Sequence, residues 1–152
     1  MAALAVSIDV DRSAGDVFAY ATDPSHFAEW QQGVVDGRMD DPGSPRVGAR
    51  CVTTRHIGFA DRPVTSEVTH IDPPKTWGVR GTDGPIRAVV DVTVEPLSDS
   101  SSQLTIALDF EGRGIGRILV PLVVRREARK EMPANLAALK RHVEAQGVGP
   151  TP

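Results

Sequence analysis

The chain has 152 residues, 17 basic and 20 acidic side chains for a net charge of −3, and one cysteine. This length suits a single domain that buries its own core without staples. The charge balance argues against nucleic acid as the main partner, and a lone Cys51 excludes an intrachain disulfide and a cysteine-rich metal site.

Leu4, Val6, Ile8 and Val10 alternate with Ala5, Ser7 and Asp9, the period of a strand with one buried face. The segment lacks a basic start and turns acidic early, so it reads as a strand and not as a signal peptide. Ser13 stands three residues before Asp16, an approximate capping box, and predicts a short helix over 14–21. Asp23 as a cap with Pro24 at the first helical position predicts a second, over 24–32. After Gly33 the pattern changes to strands and turns. DDPGSP (40–45) is a turn. RCVTTRHI (50–57), a segment over about 63–71 stopped by IDPP, KTWGVRG (75–81), and the alternating stretches 86–94 and 104–110 read as strands. Asp83-Gly84 is a hairpin signal and SDSSS (98–102) a polar loop. About seven strands on short turns make an antiparallel sheet with one packed and one wet face.

From about 115 the period becomes helical: Ile115, Ile118, Leu119, Leu122 and Val123, then Leu136, Leu139 and Val143. Such a stripe must lie on something, and the sheet is the only large apolar surface on offer. Pro121 fits a first turn, and Pro133 predicts a kink. Residues 1–146 read as one domain and 147–152 as a flexible tail. No apolar run approaches the roughly 20 residues of a membrane span, and the cysteine usage fits a cytoplasmic protein.

The expected architecture is α+β: a curved antiparallel sheet of about seven strands around a long C-terminal helix, with two short helices after the first strand. A twisted sheet curls, one helix cannot fill its concavity, and the short helices close one end with Trp30 at their edge. The segments DVFAYATDPSHFAEW, Val47-Gly48 at the start of a strand, VTHIDPP and GRGIGRILVPLVVRREARKEMPANLAALKRHVE resemble the START-like (SRPBCC) superfamily, most closely its polyketide cyclase/dehydrase-like members. The resemblance implies a helix-grip fold with a deep, mostly apolar cavity for hydrophobic small molecules. Some relatives cyclise or dehydrate polyketide chains and others carry lipids, hormones or plant metabolites. Fold alone does not choose among them.

GRGIGR (112–117) invites comparison with a dinucleotide fingerprint, but Arg117 stands where the third glycine belongs and the context is not βαβ. Its glycines read as a sharp turn from sheet to helix. His26, His56, His70 and His142 show no metal-ligand spacing. No metal and no cofactor is expected. His56 is a candidate general acid or base. Its strand has two mixed faces, Cys51/Thr53/Arg55 and Val52/Thr54/His56, so the sequence leaves its orientation open. Arg80 is a candidate donor fork for a carboxylate or enolate oxygen, although it has the opposite parity to Trp77 on one strand. Phe27, Trp30, Phe59, Trp77, Val90, Ile106, Leu108, Leu119 and Leu122 are the expected ligand-binding residues, with Phe59 part of a gate. Cys51 has no base partner. The basic residues of the last helix read as a solvated face, with an acidic partner as the alternative. The functional expectation is a hydrophobic, aromatic or polyketide-like ligand and cofactor-independent cyclase or dehydratase chemistry. The alternative is a non-catalytic carrier. A free sheet edge allows a homodimer.

Overall fold

A computed structural model describes residues 3–40, 45–57 and 59–146; most of the 40–45 turn and the 147–152 tail lie outside them. The chain forms β1 (Leu4–Val10), α1 (Ala14–Ala21), a 3₁₀ turn (Pro24–His26) running into α2 (Phe27–Trp30), β2 (Val34–Met39), β3 (Arg50–Ile57), β4 (Ala60–Asp72), β5 (Thr76–Gly81), β6 (Ile86–Ser98) and β7 (Ser101–Gly112). The C-terminal helix follows as α3 (Gly116–Leu119), a π segment (Val120–Val124) and α4 (Arg125–Gln146). The seven strands form one antiparallel sheet in the order β1-β7-β6-β5-β4-β3-β2. This is the helix-grip arrangement.

Local chemistry sets the early elements. The Ser13 hydroxyl accepts from the Asp16 N–H and caps α1, and the Asp23 carboxylate accepts from the Ser25 N–H and caps the next turn. The second helix is shorter than the sequence predicts, because the chain becomes extended at Gln31. Tyr20 stacks on His26 at 4.7 Å and donates its hydroxyl proton to Glu29 at 2.6 Å, pinning α2 to α1. That bond holds the Glu29 carboxyl below its ordinary range, and burial raises the tyrosine.

Several strands outrun their alternating cores. β4 starts before Pro63, and β6 continues through Pro96. In both stretches the strand has lost its β5 neighbour, since β5 pairs only with 66–72 of β4 and 89–93 of β6. A strand with an open side tolerates a residue that lacks an N–H.

Leu136, Leu139 and Val143 of α4 join Val92, Val94, Leu104 and Val10 in the core. The first turns of the helix depart from the expected stripe. Counting back from Arg125 at 3.6 residues per turn brings Ile118 and Leu122 inward. The π turn at Val120–Val124 inserts extra residue length, so Gly116 and Val120 face inward instead and Ile115, Ile118, Leu122 and Val123 are exposed. Pro121 therefore sits within the wide turn and not at the helix start. Pro133 lies inside α4 on its exposed side. The GRGIGR glycines do make the turn: Gly114 has φ +58°, and a Cβ on Gly116 would collide with the Pro85 carbonyl.

Candidate functional site

The parity of β3 is settled by burial. Cys51 and Thr53 are buried, and His56 is exposed. Arg55 shares the inward side with Cys51 and Thr53. Its guanidinium donates through Nη2 to Gln31 Oε1 and through Nε to Thr53 Oγ1, both at a long 3.3 Å. Gln31 follows α2, so Arg55 lies beneath the helical lid. Among the described residues no carboxylate is in ion-pair contact with it. Burial lowers its pKa, yet guanidinium keeps its proton.

Glu131 lies on α4 within the reach of the Arg55 charge. Burial raises its pKa first and the neighbouring Glu127 raises it further, against the opposing pull of Arg55 and Lys130. Cys51 lies in the same field, and burial still pushes its thiol up to about 11. It is a neutral wall residue and not a nucleophile.

An aromatic cluster adjoins this polar group. Phe27 meets Trp30 edge-on at 5.8 Å and Trp77 edge-on at 6.3 Å. The Trp30 Nε1–H is buried with no acceptor among the described residues. The apolar floor comes from sheet register: Trp77 pairs with Val92 and Val92 with Ile106, while Val79 pairs with Val90 and Val90 with Leu108.

The structure thus brings together Phe27, Trp30 and Trp77, and sets Val90, Ile106 and Leu108 on the same concave face. Leu119 is half-buried at the helix start. Other expected site residues lie elsewhere. His56 is on the outer side of β3, where its Nδ1 pairs with Asp61 at 2.9 Å. Arg80 is on the outer side of β5, between buried Val79 and Gly81, with two bonds to Glu111 at 2.7 and 2.8 Å. Neither side chain faces the interior of the sheet. Leu122 and Phe59 are exposed, Leu122 because of the π turn and Phe59 because it sits at the tip of the β3–β4 hairpin. Arg55, Gln31 and Glu131 were missed. Arg55 lay on one of two indistinguishable faces, and the other two come together with it only in the fold.

A polar crevice of about 350 Å³ lies outside the sheet between α1 and the end of α4, around Arg12, Asp16 and His26. Among the described residues no cluster of histidine, cysteine and carboxylate side chains suits a metal ion, and no helix is long and apolar enough to cross a membrane.

The family model described as polyketide cyclase / dehydrase and lipid transport matches residues 1–144. No curated protein matches the sequence. Among solved structures, the chain is similar to the di-domain ARO/CYC BexL from the BE-7585A biosynthetic pathway, with a TM-score of 0.77 and 18% identity over 97% of this chain. It spans only 48% of that longer protein. A START superfamily protein from Mycobacterium smegmatis is similar over 96% of this chain and 99% of its own, with a TM-score of 0.76 and 16% identity. The Zhui aromatase/cyclase from Streptomyces sp. R1128 is similar over 95% and 92%, with a TM-score of 0.66 and 17% identity. At such identities these likenesses speak to the fold.

Proposed function

The chain belongs to the polyketide cyclase / dehydrase and lipid transport family, and from that premise we propose that its concave face binds an aromatic, carbonyl-bearing small molecule of polyketide type and promotes its cyclisation or dehydration. One observation carries the reading. A half-buried guanidinium, Arg55, makes two long bonds to neutral oxygens among the described residues and lies under the lid whose Phe27 and Trp30 meet Trp77 of β5. A cation held this loosely suits an incoming oxygen anion. The unpaired Trp30 Nε1–H offers a second donor to a carbonyl.

The chemistry follows from these groups. The Glu131 carboxylate removes a proton from a carbon between two carbonyls, its raised pKa bringing it closer to the task. Arg55 stabilises the enolate oxygen that results. The enolate carbon bonds to a second carbonyl carbon, and the alkoxide formed there takes the proton back. Loss of water then completes dehydration. The apolar walls hold the chain in the folded conformer that reacts.

The test is tryptophan fluorescence and product analysis with aromatic β-dicarbonyl compounds, comparing the parent with Arg55→Met and Glu131→Gln. Saturable quenching with turnover that each substitution reduces supports the reading. Quenching without turnover in the parent assigns the carrier role instead. Binding indifferent to Arg55→Met sinks the site.

A further inference from the structure

The start of the C-terminal helix presents an apolar surface to solvent. Ile115, Ile118 and Leu122 are 64%, 60% and 62% exposed. Val123 is half exposed, and Phe59, at the tip of the β3–β4 hairpin, is fully so. The antiparallel order puts both segments at one end of the sheet, because β3 ends and β7 ends on that side. A monomer seldom spends this many large apolar side chains on one exposed end.

The same segment is where the positive charge gathers. Residues 113–130 hold six of the chain's 17 basic side chains, Arg113, Arg117, Arg125, Arg126, Arg129 and Lys130, against the single carboxylate Glu127. Arg125 turns to Asp109 at 2.7 Å. None of the other five is in ion-pair contact with a described carboxylate. The chain as a whole is at −3, so this segment carries a local excess of positive charge between Glu111 and Glu131. Ile118, Leu122, Arg126 and Lys130 fall at spacings of four, so one side of the helix runs from apolar to basic over about 6 Å per step. The apolar tip is the start of the helix, and the cations stand one and two turns further along it.

We propose that this end docks on an anionic lipid surface, with Ile115, Ile118, Leu122 and Phe59 entering the interface and Arg126, Arg129 and Lys130 meeting the phosphates. Two features favour lipid over an acidic protein. The exposed apolar groups stand on two separate elements, the helix start and the β3–β4 hairpin, which a soft interface accepts. Apolar groups followed by cations along one helix also suit a surface that offers acyl chains and anionic headgroups together. The proposal does not depend on the chemistry of the concave site.

The test is co-sedimentation with phosphatidylcholine vesicles, with and without phosphatidylglycerol. The expected result is binding only to the anionic vesicles, weakened by salt. Ile118→Asp with Leu122→Asp, and separately Arg126→Glu with Lys130→Glu, each reduce the vesicle affinity about tenfold or more, while circular dichroism stays unchanged. A Leu122→Trp variant shifts its emission to the blue on the same vesicles. No binding to the anionic vesicles overturns the proposal. Binding that needs the cations but ignores Ile118 and Leu122 also overturns it, and assigns an acidic partner held by charge alone.

Discussion

Along β6 and β7 the concave face changes character within a few residues. Val92, Val94, Leu104 and Ile106 are buried, and they share a core with Leu136, Leu139 and Val143 of α4. Two residues on toward the other end, Ala88, Val90, Leu108 and Phe110 are only half-buried on the same face. The helix changes in step: a buried stripe through α4 gives way to exposed Leu122 in the π turn and exposed Ile118 before it. One sheet thus carries a sealed half that supplies stability and an open half that leaves apolar surface in reach of a ligand. Arg55 is bonded to Gln31 and Thr53 on this side of the sheet, with Glu131 of α4 within reach of its charge.

Core truncations are the strongest way to break this comparison. Leu104→Ala or Leu136→Ala in the sealed half removes a fully packed side chain and is expected to cost about 2–5 kcal/mol in urea unfolding. Leu108→Ala in the open half is expected to cost about 1–2 kcal/mol, since a half-buried side chain loses less contact. Equal costs at the two ends would contradict the division. Next comes Arg55→Met. A largely shielded ion with no ion-pair contact to a described carboxylate adds little to stability, so the melting temperature should hold or rise while ligand affinity falls.

Tyr20→Phe is expected to cost about 1 kcal/mol at neutral pH by removing the hydroxyl that holds Glu29. The Glu29 pKa is lowered in the fold. Its stabilisation is therefore present above the ordinary carboxylate range and lost as pH falls through the lowered value. The difference between parent and Tyr20→Phe should shrink in acid urea melts. The smallest effect belongs to Glu131→Gln. The Glu131 pKa is raised, so the folded protein holds that proton more tightly than the unfolded chain. Its contribution is full below about pH 4, the ordinary carboxylate range, and is lost as pH rises through the raised value. The variant should gain slightly on the parent in neutral urea melts and lose that advantage in acid.

The fold was legible where one physical pattern dominated. Strict alternation marks β1, β6 and β7, and the caps Ser13 and Asp23 mark α1 and the turn before α2. VVDGRM of β2 has no alternation to read, and its ladder shifts register between Val34 and Asp36. The aromatic cluster was legible because Phe27, Trp30 and Trp77 are large and few. Arg55 was not, since both faces of RCVTTRHI mix apolar, polar and charged groups. The Arg80 side chain finds Glu111 across two strands, a pairing visible only once β5, β6 and β7 are aligned. The exposed Ile118 and Leu122 were misplaced because periodicity assumes one helical pitch throughout, and the π turn breaks it.

The most direct measurement follows the two indole N–H signals of Trp30 and Trp77 by NMR while an aromatic β-dicarbonyl compound is added. The account predicts that the Trp30 signal moves downfield on saturation, as its buried N–H gains an acceptor, and that Arg55→Met abolishes the response without unfolding the protein. Indole signals that stay fixed while backbone signals around His56 and Arg80 move would contradict it, and would put ligand binding on the outer face of the sheet.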